Sequence, residues 1–571
     1  MTVIDDAVPA SDPPQRPLRP AGEVMRLARL GSSFPTRLSF MRSLVRQLAA
    51  EQPVVHRPVW EIDDLGFGRA VYTVALSGHD YSLVAFSTPL EPADRTDRVI
   101  AEAWDSSYVL FDGVPTSADL DRLEATVPTQ EAGRYQSSDL TLSRANRSVR
   151  LFDHVVSSLA QGCQPDEEML ASVGYLMRTT AVYGNGKFGI ADRMRFSNRP
   201  GMANPFRAEM LTVWLIRGFT LDLVGHIACR RAPGAFVPLD RRLQRHLGVG
   251  NATGLGMAPF LVSHPILLNN WMVARETALA RVRAAEHPDA ESILRLRKMV
   301  DRARRHVAQW SVDDVTQTDR IATLEAELAD VAATVHSSWL EGPFPWDRLV
   351  TESRRWSLET QELIVALVIE PHGDLVDELC DDMASRVVPH IDPAMTVATL
   401  RKQLSGVFGW AVDIDFEDET ESSQFWYVSE EKLEPRLGRR YEEPGGELEQ
   451  PLDVARRVQQ LADALDHTDP ACSVASFLAH HPGHRFAVLR VQTAVLCPYS
   501  ELRDNLIGDG CLPVDMLRAK LSFFGASKFD PKSDRWTRIT LYQGAPLFDD
   551  IADPDAGFDA DDWWLPVLEP A

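Results

Sequence analysis

The sequence predicts an α+β fold that is predominantly α-helical in its centre, with small antiparallel β elements near the N- and C-terminal parts. Two β-rich runs within residues 69–87 flank the turn residues at 77–80, a pattern typical of a hairpin. Between residues 150 and 345 the apolar residues recur with a helical period, which indicates amphipathic helices. Residues 485–496 and 535–543 are rich in strand-forming residues and predict a return to β structure.

Changes in composition along the 571 residues predict five segments. They are a disordered leader at 1–22, an N-terminal α+β region at 23–145, a helical central domain at 146–345, a second mainly helical region at 346–482, and a C-terminal α+β region with an acidic tail at 483–571. The leader is rich in proline and lacks the apolar run of a signal peptide. The six cysteines are scattered and form no C-x-x-C pair, so we expect a protein of the reducing cytoplasm.

Three helical patterns carry further expectations. Residues 273–340 predict a helical hairpin, whose second arm can pack against its own partner arm or form a homodimer contact. The apolar positions of that arm follow a heptad-like spacing, at Ile321, Leu324, Leu328, Val331 and Val335. Residues 208–228 are apolar but interrupted by charges, which favours a buried core helix over a membrane span. A basic amphipathic helix near residues 38–48 can pack on its own domain or bind a membrane surface or a partner.

The charge and the cysteines exclude several classes of protein. The net charge of −23 disfavours general nucleic-acid binding. The six cysteines include no C-x-x-C pair, so the sequence indicates neither a disulfide scaffold nor a zinc finger. We expect neither a nucleic-acid nor a membrane partner, and no particular cofactor is indicated.

A basic segment at residues 175–250 stands out in this acidic chain. It contains 12 Lys and Arg residues but only four Asp and Glu residues. Six of the eight asparagines of the chain lie between residues 185 and 270, and glycine is also frequent there. Arginine forks and the backbone amides of glycine-rich turns bind carboxylates and phosphates. The composition therefore predicts a site for a small anion, although basic surface loops would give the same composition.

Two glycine-rich stretches lie in or beside this segment. The first, at 181–193, contains G-x-G-x-x-G, but the residues before it have helical spacing, so we expect a helix there instead of the strand that a dinucleotide fingerprint needs. It is not a P-loop either, because Phe188 follows Lys187. The second, at 248–260, has four glycines within nine residues and is expected to form the opposite wall of an anion pocket or a tight corner between helices.

These stretches supply the candidate site residues. One set is expected to hold and orient the anion: Arg178, Asn185, Gly186, Arg193, Arg195, Asn251, Thr253 and Gly254. Proton transfer is expected from Tyr183, Lys187 or His264. Two nearby carboxylates, Glu209 and Glu276, are further candidates, but Arg207 and Arg275 offer them ordinary ion pairs.

Two other groups of polar residues are weaker candidates. His480, His481 and His484 near Cys472 and Cys497 have no standard metal-ligand spacing, so we assign no metal site there. Five carboxylates between residues 374 and 382 have a helical spacing that suits Mg²⁺, but we favour a solvated acidic face, which matches the rest of this acidic chain.

The sequence as a whole favours a cytoplasmic metabolic enzyme that acts on a small carboxylate or phosphate-bearing substrate, with an unspecified reaction. The alternative is a non-enzymatic assembly or regulatory protein. It would dimerise through the helical hairpin and use the basic segment to bind an acidic partner.

Overall fold

The computed structural model describes most of the chain. The described residues are 14–89, 104–128, 136–148, 151–184, 198–254, 264–310, 312–383, 389–418, 451–504, 511–526, 528–533, 536–542 and 567–568.

A ten-stranded mixed sheet runs through these residues. Its strands, in chain order, are β1 (Val54–Ile62), β2 (Gly68–Leu76), β3 (His79–Pro89), β4 (Trp104–Asp112), β5 (Asp139–Arg147), β6 (Tyr175–Gly184), β7 (Gly248–Gly254), β8 (Lys528–Ser533), β9 (Trp536–Leu541) and β10 (Val567–Leu568). Their order across the sheet is β10-β1-β2-β3-β4-β5-β6-β7-β9-β8. Strands β1 to β6 form an antiparallel meander, whereas β7 is parallel to β6 and β10 is parallel to β1. The α+β class is confirmed, but the β structure is one large sheet and not only small elements.

The turn between β2 and β3 confirms the predicted hairpin. Leu76 pairs with His79, so only Ser77 and Gly78 lie in the turn. Their φ angles are +51° and +75°, which is the conformation that both central residues of a type I′ turn require. The twist of this turn matches that of the two strands and fixes their register.

The helices of the described residues pack against this sheet and against one another. In chain order they are α1 (Ala21–Val24), α2 (Leu27–Gly31), α3 (Phe40–Glu51), α4 (Ser117–Thr126), α5 (Phe152–Ala160), α6 (Glu167–Val173), α7 (Arg207–Arg231), α8 (Arg241–His246), α9 (Pro265–Arg283), α10 (Ala290–Val307), α11 (Val315–His336), α12 (Pro345–Glu352), α13 (Leu358–Ile369), α14 (Gly373–Val376), α15 (Leu379–Asp382), α16 (Val397–Val412), α17 (Pro451–Asp466), α18 (Val474–His480), α19 (Arg485–Leu496) and α20 (Pro513–Phe524). Short 3₁₀ helices occur at Ser338–Glu341, Ser353–Arg355 and Pro482–His484.

Helix α7 crosses one face of the sheet and lies at the centre of the core. It contacts strands β3 to β7, and its Trp214 and Phe219 side chains are fully buried. Among the described helices it is the one that is long and apolar enough to span a membrane, but most of it is buried inside the protein. The prediction of a core helix at 208–228 is therefore confirmed. On the opposite face, α4 covers a smaller apolar cluster around Val84 and Val109.

The residues before the first glycine-rich stretch form a strand, which corrects our expectation of a helix. Helix α6 ends at Val173 and is followed by Gly174, whose φ of +75° is left-handed, the usual conformation of a helix C-terminal cap. The chain then enters β6 at Tyr175. The helical spacing of Leu176 and Met177 with the preceding residues is therefore fortuitous, because the helix ends before them.

Residues 485–496 form helix α19, so the prediction of a strand there is wrong. Several buried residues of α19 fall on helical spacing, namely Ala487, Val488, Val491 and Ala494. Helix α19 packs against α16 and α17, and these neighbours select the helix for a short apolar run that periodicity alone cannot assign. The strand predicted at 535–543 is confirmed as β9.

The predicted helical hairpin is formed by α10 and α11, and α9 precedes it as a separate helix. The five apolar residues of the second arm are all buried: Ile321, Leu324, Leu328, Val331 and Val335. Helix α11 packs on α10 and α13 of the same chain. The heptad-like positions therefore face the interior of the protein.

Residues 14–22 pack onto the protein, where the sequence predicts a disordered leader. Arg19 donates from Nε and Nη2 to Glu276 over 2.8 and 2.7 Å, and from Nη1 to Glu362 over 2.8 Å. A buried ion cluster results, which consists of Arg19, Arg29, Arg275, Glu276 and Glu362. Although burial opposes its ionisation, the arginines of this cluster hold the pKa of Glu362 well below its usual range. The cluster fastens the first described residues to α9 and α13.

Candidate anion-binding site

The two glycine-rich stretches leave the sheet side by side. Strands β6 and β7 are parallel neighbours, with Arg178 paired to Gly250. Strand β6 continues from Arg178 to Gly184, and β7 continues from Gly250 to Gly254. Because the two strands run in the same direction, their carboxyl ends lie at the same edge of the sheet. The structure therefore places the ends of β6 and β7, where the two glycine-rich stretches leave the sheet, next to each other.

Many of the predicted site residues lie outside the described part of the chain. These are Asn185, Gly186, Lys187, Arg193 and Arg195. The backbones of Tyr183 and Thr253 belong to β6 and β7, but their side chains lie outside the described part as well. Gly254 is the last residue of β7.

Arg178 and Asn251 lie on adjacent strands but do not share a face of the sheet. Arg178 is in register with Gly250, and successive residues of a strand point to opposite faces. Asn251 therefore points away from the face of Arg178. Both side chains are partly buried, but one small ligand on one face of the sheet cannot contact both.

Along the chain, each glycine-rich stretch is followed by the start of a long helix that carries buried polar residues. Beyond the first stretch lie Asn204 and Arg207, at the start of α7; beyond the second lie His264 and Asn270, at the start of α9. We use the name Arg207 cluster for Ser43, Arg46, Asn204, Arg207 and Cys380. The two glycine-rich stretches therefore connect strands β6 and β7 to these residues.

Arg207 is the central side chain of this cluster. It is 5% exposed, and Nη2 donates to the Ser43 hydroxyl over 3.1 Å. Its Nε and Nη1 groups are buried and have no hydrogen-bond partner in the described residues, and no carboxylate there lies within ion-pair distance of it. Burial lowers the pKa of Arg207 to about 10, because desolvation disfavours the charged form. The guanidinium nevertheless stays charged at neutral pH and has two unsatisfied donors.

Aromatic rings pack around Phe206, the residue that precedes α7. The Phe206 ring lies 4.9 Å from that of Phe40 and 4.6 Å from that of Phe524, measured between centroids. Phe206 itself has a positive φ of 55° just before the helix, which turns the chain so that Arg207 begins α7 beside these rings. The positive end of the helix dipole adds to the charge of Arg207.

The rest of the Arg207 cluster joins three helices. Arg46 of α3 donates from Nη2 to the Cys380 sulfur over 3.3 Å and lies 3.3 Å from the Asp377 carboxylate. Asn204 donates to Asp381 over 3.4 Å. Burial raises the pKa of Cys380, with Arg46 opposing that shift, so its sulfur is a thiol and not a thiolate nucleophile at neutral pH.

The arginines near Arg207 are paired with carboxylates. Arg37 binds Asp377 through two hydrogen bonds of 2.7 and 2.9 Å, and Arg42 binds Glu370 over 2.5 Å. Arg46 also lies within ion-pair distance of Asp377. Among the described residues, Arg207 differs from these three arginines because no carboxylate lies within ion-pair distance of it.

A second buried basic group lies at the start of α9. Burial, together with the charges of Lys520 and Arg490, lowers the pKa of His264 to about 3. The Lys520 ammonium lies 5.5 Å from the centroid of the Phe524 ring, which also contacts Phe206. Because an effective general base has a pKa near the working pH, His264 is suited to donate a hydrogen bond and not to accept a proton.

The weaker candidates of the sequence have structural partners. Glu276 pairs with Arg275 over 3.3 Å, as the sequence suggests. Between residues 374 and 382, Asp377 is held by Arg37 and Glu378 by Arg281. These two carboxylates lie between the short helices α14 and α15, so the segment does not form one helical face.

Near the C-terminus, the His481 and His484 rings stack on Phe477. Within the described ranges no group of three or more His, Cys, Asp or Glu residues is arranged to hold a metal ion.

Sequence reasoning missed the residues that α3 and α15 contribute. Ser43, Arg46 and Cys380 lie far from the basic segment at 175–250. The basic amphipathic pattern near residues 38–48 was the available signal for Arg46, and this helix indeed packs on its own chain. Nothing in the sequence around Cys380 indicates its place beside Arg46.

Comparisons of the chain with protein families, with curated proteins and with solved structures return no match. Its function is therefore inferred from the geometry and the chemistry of its own residues.

Proposed function

We propose that this protein is a cytoplasmic enzyme that binds a small carboxylate- or phosphate-bearing substrate at the Arg207 cluster. The observation that carries the proposal is the Arg207 guanidinium, which is buried and charged and keeps two donor nitrogens, Nε and Nη1, without a partner in the described residues. An unsatisfied buried donor costs about 1–3 kcal/mol, and more for a charged group. A small anion would satisfy both donors and neutralise the charge.

Several neighbours support an anion at this place. Ser43 already contacts Arg207, and Asn204 lies at the end of the segment that leads from β6 to α7. The start of a helix also favours negative charge through its dipole. A flat basic surface would bind anions too, but its arginines would be exposed to water, whereas Arg207 is excluded from it.

The chemical step of the proposed enzyme requires a group that can move a proton. Tyr183 and Lys187 remain the proposed donors or acceptors, because the first glycine-rich stretch leads from β6 towards Asn204 and Arg207. His264 is assigned a different role. With its pKa near 3 it is neutral at physiological pH and would donate a hydrogen bond to the bound anion.

Thermal unfolding in the presence of anions tests the proposal. Inorganic phosphate and succinate should each raise the melting temperature of the wild-type protein above the value in sodium chloride of equal ionic strength, since a ligand that binds only the folded state stabilises it. The Arg207→Met variant should lose this increase. Arg178→Ala should lose it as well if the strand ends belong to the same site.

Arg217→Met is the matched control. Arg217 is a buried arginine of the same helix, but its guanidinium donates to the carbonyl oxygens of Leu247, Gln244 and Arg245. Its replacement should therefore destabilise the protein and leave the anion-dependent increase intact. An increase of wild-type size in Arg207→Met, or none in the wild type with either anion, would refute the proposed site.

A further inference from the structure

The hairpin of α10 and α11 has an outward groove that the described residues of its own chain do not fill. The groove has a volume of about 790 Å³. On α11 it is lined by Ala322, Ala326 and Ala329, and all three residues are exposed. Small side chains let another helix approach closely. The large apolar residues of α11 point the other way, into the protein.

The two sides of the groove carry opposite charges. Helix α10 contains six Lys and Arg residues and two Asp and Glu residues. Helix α11 contains one Arg residue and four Asp and Glu residues. At the groove itself, Arg304 lies on the α10 side and Glu325 on the α11 side, and both are exposed. Within the described residues neither side chain has a hydrogen bond or an ion pair.

Two exposed apolar residues extend this surface at its ends. Leu294 is 52% exposed and Val315 is 74% exposed. Leu294 precedes Asp301 by seven residues, and Val315 precedes Ala322 by seven, so each lies on the groove-lining face of its helix two turns away. Large apolar side chains left in water on one continuous face are typical of a surface that another protein covers.

A second copy of the same hairpin fits this surface. A two-fold axis parallel to the helices places α10 of each copy over α11 of the other, in antiparallel orientation and at the same height. Arg304 of one copy then lies opposite Glu325 of its partner, and the contact occurs twice because a two-fold interface uses the same patch on both copies. A two-fold axis perpendicular to the helices would instead place α10 against α10 of the partner, so that two basic helices would face each other.

The size of the surface predicts a reversible dimer. At 1.5 Å per residue, α10 and α11 are about 27 and 33 Å long, and two helices side by side are about 20 Å wide. Because Arg297 and Asp301 of α10 contact Val335 and His336 at the end of α11, the two helices lie side by side over only part of their lengths. Pairing two such faces therefore buries less than about 1,000 Å² in total, which is the range of weak, transient contacts.

We propose that the outward face of the α10–α11 hairpin joins two copies of this protein into a salt-sensitive homodimer. Arg304 and Glu325 select the partner by charge, and the alanines allow the helices to approach closely. This contact is independent of the Arg207 cluster, so the dimer and the anion site can be tested separately.

Sedimentation velocity of the full chain over a range of concentrations tests this proposal. The wild-type protein should dimerise, and its dimer should weaken as salt is added, because exposed ion pairs are screened. Arg304→Glu and Glu325→Arg should each weaken the dimer at least about tenfold, since each creates two like-charge contacts per dimer. The double variant Arg304→Glu/Glu325→Arg should recover most of the lost affinity, because it exchanges the charges and restores both pairs.

Arg485→Glu, an exposed charge reversal at the start of α19, is the control and should leave the dissociation constant unchanged. Circular dichroism of each variant checks that the helices remain folded. A wild-type protein that stays monomeric overturns the proposal. So does a dimer that neither single reversal weakens, or a double variant no stronger than the single ones.

Discussion

Replacement of Arg19 by alanine should destabilise the protein more than replacement of any exposed arginine nearby. Arg19 makes three charge-assisted hydrogen bonds of 2.7–2.8 Å to two fully buried carboxylates. Removing one partner of a buried ion pair costs about 3–5 kcal/mol. The remaining interactions of the cluster decide where in this range the variant falls.

The charges that remain after the Arg19→Ala substitution place its cost at the lower end of this range. With Arg19 the cluster holds three arginines and two glutamates, so without it the charges balance. Glu362 keeps Arg29 over 2.8 Å and also keeps Arg275, whereas Glu276 keeps only a 3.3 Å contact with Arg275. The variant therefore loses hydrogen bonds but leaves no net buried charge, and we expect a loss of about 3 kcal/mol in the free energy of unfolding.

Glu362→Gln should cost more, about 4–5 kcal/mol, because it leaves three arginines against one buried carboxylate, Glu276, and the more exposed Glu23 beside Arg29. Arg26→Ala is the control, since Arg26 is 63% exposed and pairs with Asp504 over 3.3 Å. It should cost less than about 1 kcal/mol. Denaturation by guanidinium chloride at neutral pH measures all three values. The reasoning fails if Arg19→Ala costs no more than Arg26→Ala, or if Glu362→Gln is the milder of the two buried changes.

Two further predictions concern pH and packing. The pKa of His264 is about 3 in the folded protein against about 6.5 in the unfolded chain, so the unfolded state alone takes up this proton and stability falls as the pH drops from 6.5 towards 3. Between pH 7 and pH 5 this loss is about 2 kcal/mol in the free energy of unfolding. Denaturation curves at the two pH values should show that His264→Gln removes the loss. If the variant shows the same difference between the two pH values as the wild type, the assignment is wrong. Gly250→Ala places a Cβ 2.2 Å from the Tyr175 ring and should cost about 1–3 kcal/mol in thermal or chemical unfolding. Gly225→Ala in α7, where a Cβ meets nothing within 4 Å, should instead stabilise by up to about 1 kcal/mol, and equal effects of the two would argue against the close approach at Gly250.

The features that the sequence predicts correctly depend on contacts close in the chain. The hairpin of β2 and β3 follows from Ser77 and Gly78, which adopt positive φ within two residues of both strands. The core helix at 208–228 and the buried residues of α11 follow from helical periodicity. In each case neighbouring residues determine the local structure.

The predictions from sequence fail where residues distant in the chain determine the local structure. The run at 485–496 could form a strand or a helix, and packing on α16 and α17 selects the helix. Strand β6 is paired on one side with β5 and on the other with β7, which lies more than 60 residues later in the chain. Local spacing across Gly174 could not reveal this pairing.

The candidate site was predictable only in part, for the same reason. Composition pointed to the segment that carries Asn204 and Arg207, because an excess of arginine and asparagine is visible in one window of sequence. Arg46 and Cys380 approach Arg207 from positions more than 150 residues away on either side. Their presence depends on how α3 and α15 pack, which no local pattern records. No local pattern distinguishes Arg207, which has no carboxylate partner among the described residues, from the paired arginines around it.

The order of the strands across the sheet has a consequence for how the chain is made. Strands β1 to β7 come from residues 54–254, but the strands beyond β1 and β7 come from residues 528–568. A ribosome therefore completes the middle of the sheet long before it supplies either border, and until then both β1 and β7 have unpaired backbone groups that can recruit strands from other chains. Chains cut before residue 528 should aggregate even though their meander is intact, and the nascent protein should depend on chaperones throughout the synthesis of its second half.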